Sequence, residues 1–134
     1  MIELNYARRA ERREVDISCD VVAGDWDEPL SHRATDLSPY GIWLRTALPL
    51  QIGHRLVISF RPPKSDRELN VFAEVRRVEK RESIGERSGM GLQFMDLSND
   101  ERVALHKCLR HLPAWRRQRQ GPARRQLRSR RLFR

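Results

Sequence analysis

Hydrophobic and polar residues alternate over several short stretches of this chain, and a period of two is typical of a half-buried β-strand. The first stretch runs from Val15 to Val21, with an apolar side chain at every second position. Further stretches of strand composition follow at residues 33–37, 42–46, 56–60, 71–78 and 90–94. Because turns that contain glycine or proline punctuate these stretches, the pattern favours an antiparallel barrel or sandwich over a parallel α/β sheet.

The hydrophobic period changes near Ser98, where the pattern predicts a helix. One helical stripe is formed by Leu105, Cys108, Leu109 and Leu112. Ser98 and Glu101 have the spacing of a capping box, in which each side chain accepts a hydrogen bond from the backbone amide of the other residue. Pro113 cannot continue a helix, so it predicts the helix end.

The charge of the chain is concentrated at one end. The 134 residues suit one domain and carry a formal net charge of +9, from 27 basic and 18 acidic residues. Residues 116–134 contain nine arginines and no acidic residue, so the other 18 basic residues balance the 18 acidic ones. Such a block is usually a solvated extension, and it is also a candidate contact for nucleic acid or an anionic surface.

The sequence contains little that suggests catalysis or metal binding. Its four histidines form no metal-ligand pattern, and neither Cys19 nor Cys108 lies in a C-x-x-C or nucleophile motif. The Gly89-Met90-Gly91 segment is too short for a phosphate-binding loop, and we expect it to let a strand bend or approach another backbone closely. The chain is therefore expected not to be an enzyme and to carry no metal or cofactor.

The same sequence indicates where the protein is expected to reside. No stretch has the length and apolar character of a membrane span, and the first residues lack the apolar region of a signal peptide. Two cysteines far apart in sequence fit a reducing compartment. We expect a cytoplasmic protein without a membrane span.

An arginine cluster precedes the first strand and contains the spacing RxxxR in two registers. Arg8 pairs with Arg12 in one register, and Arg9 pairs with Arg13 in the other. Guanidinium groups are planar forks of donors that bind phosphate and stack on bases, so paired arginines suit a ligand with phosphates and purines. In a chain so rich in arginine, however, this spacing also arises easily by chance.

A second candidate segment lies between two predicted strands and has the pattern DxSxxG. It places the Asp36 carboxylate, the Ser38 hydroxyl and the flexible backbone of Gly41 around one turn. These groups could face a ligand. They could equally stabilise their own turn, because aspartate and serine often cap turns and glycine adopts the backbone angles that a tight turn requires.

Taken together and in this order, the two segments resemble the signature of the PilZ domain family, RxxxR followed by [D/N]xSxxG. The resemblance also includes residues 41–46 and 88–94 and extends over roughly residues 5–112. It implies a six-stranded antiparallel β-barrel closed by a C-terminal α-helix, which binds cyclic di-GMP on its outer face. Arg8 and Arg12 best match the family's register, Arg9 is a frequent extra arginine, and Arg13 leaves the shifted register open.

The resemblance also implies how such a protein would work. Residues 1–14 would form a flexible arm whose arginines contact phosphates and guanine edges, and residues 15–113 the barrel with its helix. Ligand binding would order the arm on the barrel, where Asp36, Ser38 and Gly41 contact the base, and a downstream protein partner would receive the signal. Residues 114–134 would be a disordered or helical basic tail.

Two other functions compete with this interpretation. The tail could bind nucleic acid or another polyanion, with Trp115 and Phe133 available to stack on bases. The barrel could instead act as an adaptor that needs no ligand, although both motifs are complete.

Overall fold

Six antiparallel strands form most of the described chain, which in the computed structural model comprises residues 11–24, 26–79 and 88–115. The strands are β1 (Arg13–Ala23), β2 (Leu30–Ser38), β3 (Gly41–Arg45), β4 (Arg55–Phe60), β5 (Leu69–Glu79) and β6 (Gly89–Phe94). Their order around the barrel is β1-β2-β3-β6-β5-β4, and β4 pairs with β1 to close it. The predicted six-stranded antiparallel barrel is confirmed.

The hydrophobic core lies inside this barrel, because alternate side chains of each strand point inward. In β1 the inward residues are Cys19, Val21 and Ala23, all almost fully buried. The rings of Phe60 on β4 and Phe94 on β6 stack with their centroids 6.0 Å apart. The alternation in the sequence therefore corresponds to the two faces of a closed sheet.

Helix α1 (Asn99–Leu109) follows β6 and begins with the predicted capping box. The Glu101 amide donates to the Ser98 hydroxyl at 3.1 Å, and the Ser98 amide donates to the Glu101 carboxylate at 2.9 Å. Leu105 and Leu109 are buried against the barrel core. Within the described ranges, no helix is long and apolar enough to span a lipid bilayer.

The end of the helix differs from the prediction. The sequence pattern carried the helical stripe to Leu112, but α1 ends at Leu109, and the Leu112 amide donates to the Leu109 carbonyl in a turn. Leu112 still packs on the core from outside the helix. Residues 110–112 form a turn instead of continuing the helix, and this turn leads residues 113–115 to the beginning of β1.

Residues 113–115 lie antiparallel to the beginning of β1. The Glu14 amide donates to the Pro113 carbonyl at 2.9 Å, and the Trp115 amide donates to the Arg12 carbonyl at 2.8 Å. The first residues of the predicted tail and the last residues of the predicted arm are thus hydrogen-bonded to each other. Arg8 and Arg9 in the arm, and residues 116–134 of the tail, lie outside the described residues.

Candidate functional site

The DxSxxG residues lie at the turn from β2 to β3. The Ser38 hydroxyl accepts hydrogen bonds from the Tyr40 amide at 3.1 Å and the Gly41 amide at 3.2 Å. A Cβ atom on Gly41 would lie 2.4 Å from the Leu92 carbonyl oxygen, so glycine allows β3 to approach β6. Both residues therefore stabilise the turn, whatever else they contact.

Asp36 differs from its neighbours because it is a carboxylate on the outer wall that is completely buried. The pairing of β2 with β3 shifts register between Ala34 and Asp36, and both Ala34 and Leu37 belong to the core. This irregularity leaves Asp36 on the opposite face from Leu37, since successive side chains of a strand alternate. A carboxylate withdrawn from water in this way requires compensating charge or hydrogen bonds.

Arg12 provides a positive charge beside Asp36. Its Nη1 atom lies 3.6 Å from Asp36 Oδ1, and the exposed fractions of the two side chains are 37% and 1%. The guanidinium carbon of Arg12 also lies 4.5 Å from the centroid of the Trp115 ring, within the range of a cation–π contact. The second arginine of the Arg8 register is thus directly connected to the DxSxxG segment.

Arg13 has a different set of contacts from Arg12. Its Nη1 donates to the Leu112 carbonyl at 3.0 Å, and its Nη2 lies 3.3 Å from Glu11 Oε1. The first of these contacts attaches Arg13 to the segment after α1. The structure therefore brings Arg12, Asp36, Ser38 and Gly41 to one region, whereas the Arg13 side chain contacts Leu112 and Glu11.

A row of paired residues extends from Asp36 across the outer wall: Asp36 on β2, Trp43 on β3, Gly91 on β6 and Arg77 on β5. Trp43 is only 2% exposed although it lies outside the barrel. A Cβ atom on Gly91 would approach Trp43 Cε3 to 3.2 Å, and one on Gly89 would approach Nε1 to 2.8 Å. The glycines thus make space for the indole, and a Cβ atom on Gly89 would also lie 2.4 Å from the Leu44 carbonyl oxygen, which agrees with the expected close approach to another backbone.

Arg77 completes this row by covering Trp43. Its guanidinium carbon lies 5.2 Å from the Trp43 ring, and a register shift between Val75 and Arg77 accompanies this position. Bulges commonly redirect a side chain beside a binding surface. The outer wall next to Asp36 therefore carries two arginines, each placed over an indole, and guanidinium groups are suited to a planar, anionic ligand.

Comparison with known proteins identifies the family. The sequence profile of the PilZ domain matches residues 7–111. This chain belongs to the PilZ domain family. A search of curated proteins found no match.

Solved structures of PilZ domains have the same fold. The PilZ domain of YcgR from Escherichia coli with c-di-GMP has a TM-score of 0.63 and 21% identity, over 78% of this chain and 90% of that one. The inhibitor of motility MotI/DgrA from Bacillus subtilis has a TM-score of 0.64 and 23% identity, over 78% of this chain and 50% of that one. This chain thus spans about half the length of the Bacillus protein.

A third similar structure is the PilZ domain of CeSA from a cellulose-synthesizing bacterium. It has a TM-score of 0.53 and 14% identity, over 76% of this chain and 97% of that one. At such identities the structural similarity establishes a common barrel fold.

Three residues of this PilZ surface were not among the site residues chosen from the sequence: Trp43, Arg77 and Trp115. A tryptophan opposite a glycine on a paired strand becomes recognisable only when the strand register is known. The sequence pattern places Trp115 in the basic tail, because nothing in the local sequence indicates its pairing with β1.

The described part of this PilZ domain holds no group of three or more histidine, cysteine or acidic residues arranged to bind a metal ion. Burial inside the barrel, with a smaller effect of Asp20, raises the pKa of the Cys19 thiol from 9.0 to about 12 despite the opposing effect of Arg33. A thiol with such a pKa is a poor nucleophile at neutral pH. Its position instead matches that of a small hydrophobic core residue.

Proposed function

We propose that this PilZ domain is a cyclic di-GMP receptor, and that the ligand binds on the outer wall beside the β2–β3 turn. The observation that carries the proposal is the proximity of Arg12 to Asp36, at 3.6 Å, which joins the two motifs of the family signature. Family membership supports the choice of ligand, and the structurally similar domain of YcgR contains c-di-GMP.

The ligand's chemistry assigns a role to each residue. Arg12, together with Arg8, provides guanidinium forks for phosphate oxygens and for the O6 and N7 acceptors of guanine. Asp36 accepts from guanine N–H groups, and Ser38 and Gly41 keep the turn close to the base. The contacts of Arg12 favour the Arg8 register, with Arg9 as an additional arginine and Arg13 as a support for the C-terminal segment.

Signalling in this proposal needs no chemical step. Cyclic di-GMP joins the arm that precedes Arg12 to the fixed wall of the barrel, and ordering of this arm creates the surface that a downstream protein reads. The backbone of Arg12 is already hydrogen-bonded to Trp115, so the proposed change concerns the residues before it.

Isothermal titration calorimetry of the full chain tests this function. Cyclic di-GMP should bind, and GTP, cyclic GMP and cyclic di-AMP should bind far more weakly. Arg12→Ala should weaken binding by about 1.5–3 kcal/mol, the range for hydrogen bonds to charged groups. Arg55→Ala is a matched control, because Arg55 lies on β4 with its side chain 75% exposed and pairs with Glu74.

Arg13→Ala distinguishes the two registers. The Arg8 register predicts a smaller loss at Arg13 than at Arg12. A larger loss at Arg13 would favour the shifted register, and no binding of cyclic di-GMP at millimolar concentration would refute the receptor function itself.

A further inference from the structure

Trp115 lies beyond residues 7–111, which match the PilZ profile, yet it contacts an arginine of the proposed site. Two contacts hold Trp115 beside Arg12. Its amide donates to the Arg12 carbonyl at 2.8 Å, and its ring lies under the Arg12 guanidinium, whose central carbon is 4.5 Å from the ring centroid. Arg12 and Trp115 are therefore joined both through their backbones and through their side chains.

Neighbouring contacts continue the pairing beyond Arg12 and Trp115. The Glu14 amide donates to the Pro113 carbonyl at 2.9 Å, and the Arg13 guanidinium donates to the Leu112 carbonyl at 3.0 Å. A single cation–π contact between two otherwise unrestrained side chains would be transient. Here the short antiparallel pairing keeps the indole beside β1, so the contact is part of the fold.

The orientation of the contact determines what it can do. A guanidinium that stacks on an aromatic ring uses its face, whereas its N–H donors point outward in its own plane. In Arg12 the Nη1 end of this edge faces Asp36 of the proposed site at 3.6 Å, and the side chain remains 37% exposed. The indole therefore restrains the arginine without using the donors that a phosphate or guanine needs.

We propose that Trp115 is a positioning residue of the binding site, which holds the Arg12 guanidinium in its ligand-binding orientation before the ligand arrives. This proposal rests on the proposed function, because it assumes that Arg12 binds cyclic di-GMP. Arginine has many rotamers, and immobilising it on binding opposes affinity. Stacking on Trp115 removes much of that freedom in advance, and it also makes the segment after α1 part of the site.

The test uses the full chain and two replacements of different character. Trp115→Leu keeps an apolar side chain but removes the aromatic face, and it should weaken cyclic di-GMP binding about three- to tenfold. Trp115→Phe retains an aromatic face and should recover most of the affinity. Phe72→Leu is the matched control, because Phe72 is a 56% exposed aromatic residue on β5, and its affinity should not change.

A double-mutant cycle separates positioning from general support of the fold. In an Arg12→Ala background, Trp115→Leu should cause no further loss, because the residue acts through Arg12. Nuclear magnetic resonance gives a second measurement without ligand. The ring current of Trp115 should displace the Arg12 Nε–H resonance, and Trp115→Leu should return it to an ordinary position while Trp115→Phe retains part of the displacement.

The possible outcomes are distinguishable. If the wild-type chain does not bind cyclic di-GMP, both the proposed function and this inference fail. If it binds but Trp115→Leu has equal affinity, or loses the same factor without Arg12, only the positioning role is refuted. Tighter binding by Trp115→Leu would also refute it, since the indole would then obstruct the ligand.

Discussion

Among the residues that the structure describes, two arginine–tryptophan pairs lie on the outer wall of this PilZ domain, and different parts of the chain hold them. Arg77 covers Trp43, which is 2% exposed and packed against the β6 glycines. Arg12 covers Trp115, which is partly exposed and belongs to a short segment after the helix. The same cation–π contact therefore occurs once within the barrel wall and once between the barrel and the segment after the helix.

The two pairs therefore differ in what they contribute to the protein. Trp43 lies between the two neighbouring strands β2 and β6 and under Arg77 of β5, so removing it would leave a cavity in the wall. Trp115 is held by a few backbone hydrogen bonds beside the first residues of β1. We infer that the first pair mainly stabilises the fold, while the second mainly prepares a binding residue.

The largest expected effect is the loss of protein stability when Trp43 is removed from its pair with Arg77. Trp43→Ala should lower the free energy of unfolding by about 3–5 kcal/mol, the usual range for a buried aromatic residue. Trp115→Ala should lower it by only about 1 kcal/mol, because the ring is partly exposed and loses chiefly a cation–π contact. Urea denaturation followed by circular dichroism measures both. Equal losses would contradict the distinction between the two pairs.

The cysteines provide a second comparison of the barrel with the C-terminal side. Cys19 lies in the core with its pKa raised to about 12, whereas Cys108 on α1 is partly exposed. At pH 8 the Cys19 thiolate should be about a thousandfold scarcer than that of an ordinary thiol. Iodoacetamide should therefore alkylate Cys108 in the native protein and both residues in denaturant, as measured by mass spectrometry.

The same pKa shift has a consequence for stability. Because the pKa of Cys19 is higher in the folded state, its contribution is complete below the unfolded value near 9 and is lost as the pH rises towards 12. A Cys19→Ser variant should lack this decrease between those values. Rapid native alkylation of Cys19 in a Cys108→Ser background would indicate that the barrel opens readily.

A smaller effect is expected when the space that the glycines leave for Trp43 is filled by an added side chain. A Cβ atom at Gly89 would lie 2.4 Å from the Leu44 carbonyl oxygen and 2.8 Å from Trp43 Nε1. Gly89→Ala should therefore destabilise the protein by about 1–3 kcal/mol, the cost of overpacking. Gly24→Ala is the control, because no atom lies within 4 Å of its added Cβ, and thermal unfolding should show little change or a slight stabilisation.

The smallest expected effect concerns residues 116–134 and their nine arginines. Deleting them should leave cyclic di-GMP affinity almost unchanged, because the proposed contacts lie on the other side of Trp115 in sequence. It should abolish salt-sensitive binding to DNA or anionic lipid, which on duplex DNA weakens with a slope of about −0.9 per neutralised phosphate. If deletion removes nucleotide binding from a folded barrel, the tail belongs to the site.

Local patterns were sufficient to predict the strands, the capping box and the two motifs. Val15 to Val21 alternates because one face of β1 meets the core, and Ser98 and Glu101 satisfy amides that lie within three residues of them. The turn residues Ser38 and Gly41 could also be selected from the sequence. The same local pattern placed the helix end too late, because the pairing of residues 113–115 with the beginning of β1 is a long-range contact that no local pattern reveals.

The sequence by itself determined the short antiparallel strands, the helix after them and the residues of the signature, since periodicity and turn chemistry act between neighbours along the chain; the choice of a barrel over a sandwich came from the resemblance to the PilZ family. Only the tertiary structure decided that Asp36 is buried beside Arg12, that Trp43 lies over Gly91, and that Trp115 returns to β1. These contacts depend on strand register and on the closure of the barrel. They join residues whose separation in sequence carries no local signal, so they become visible only when the strands are paired.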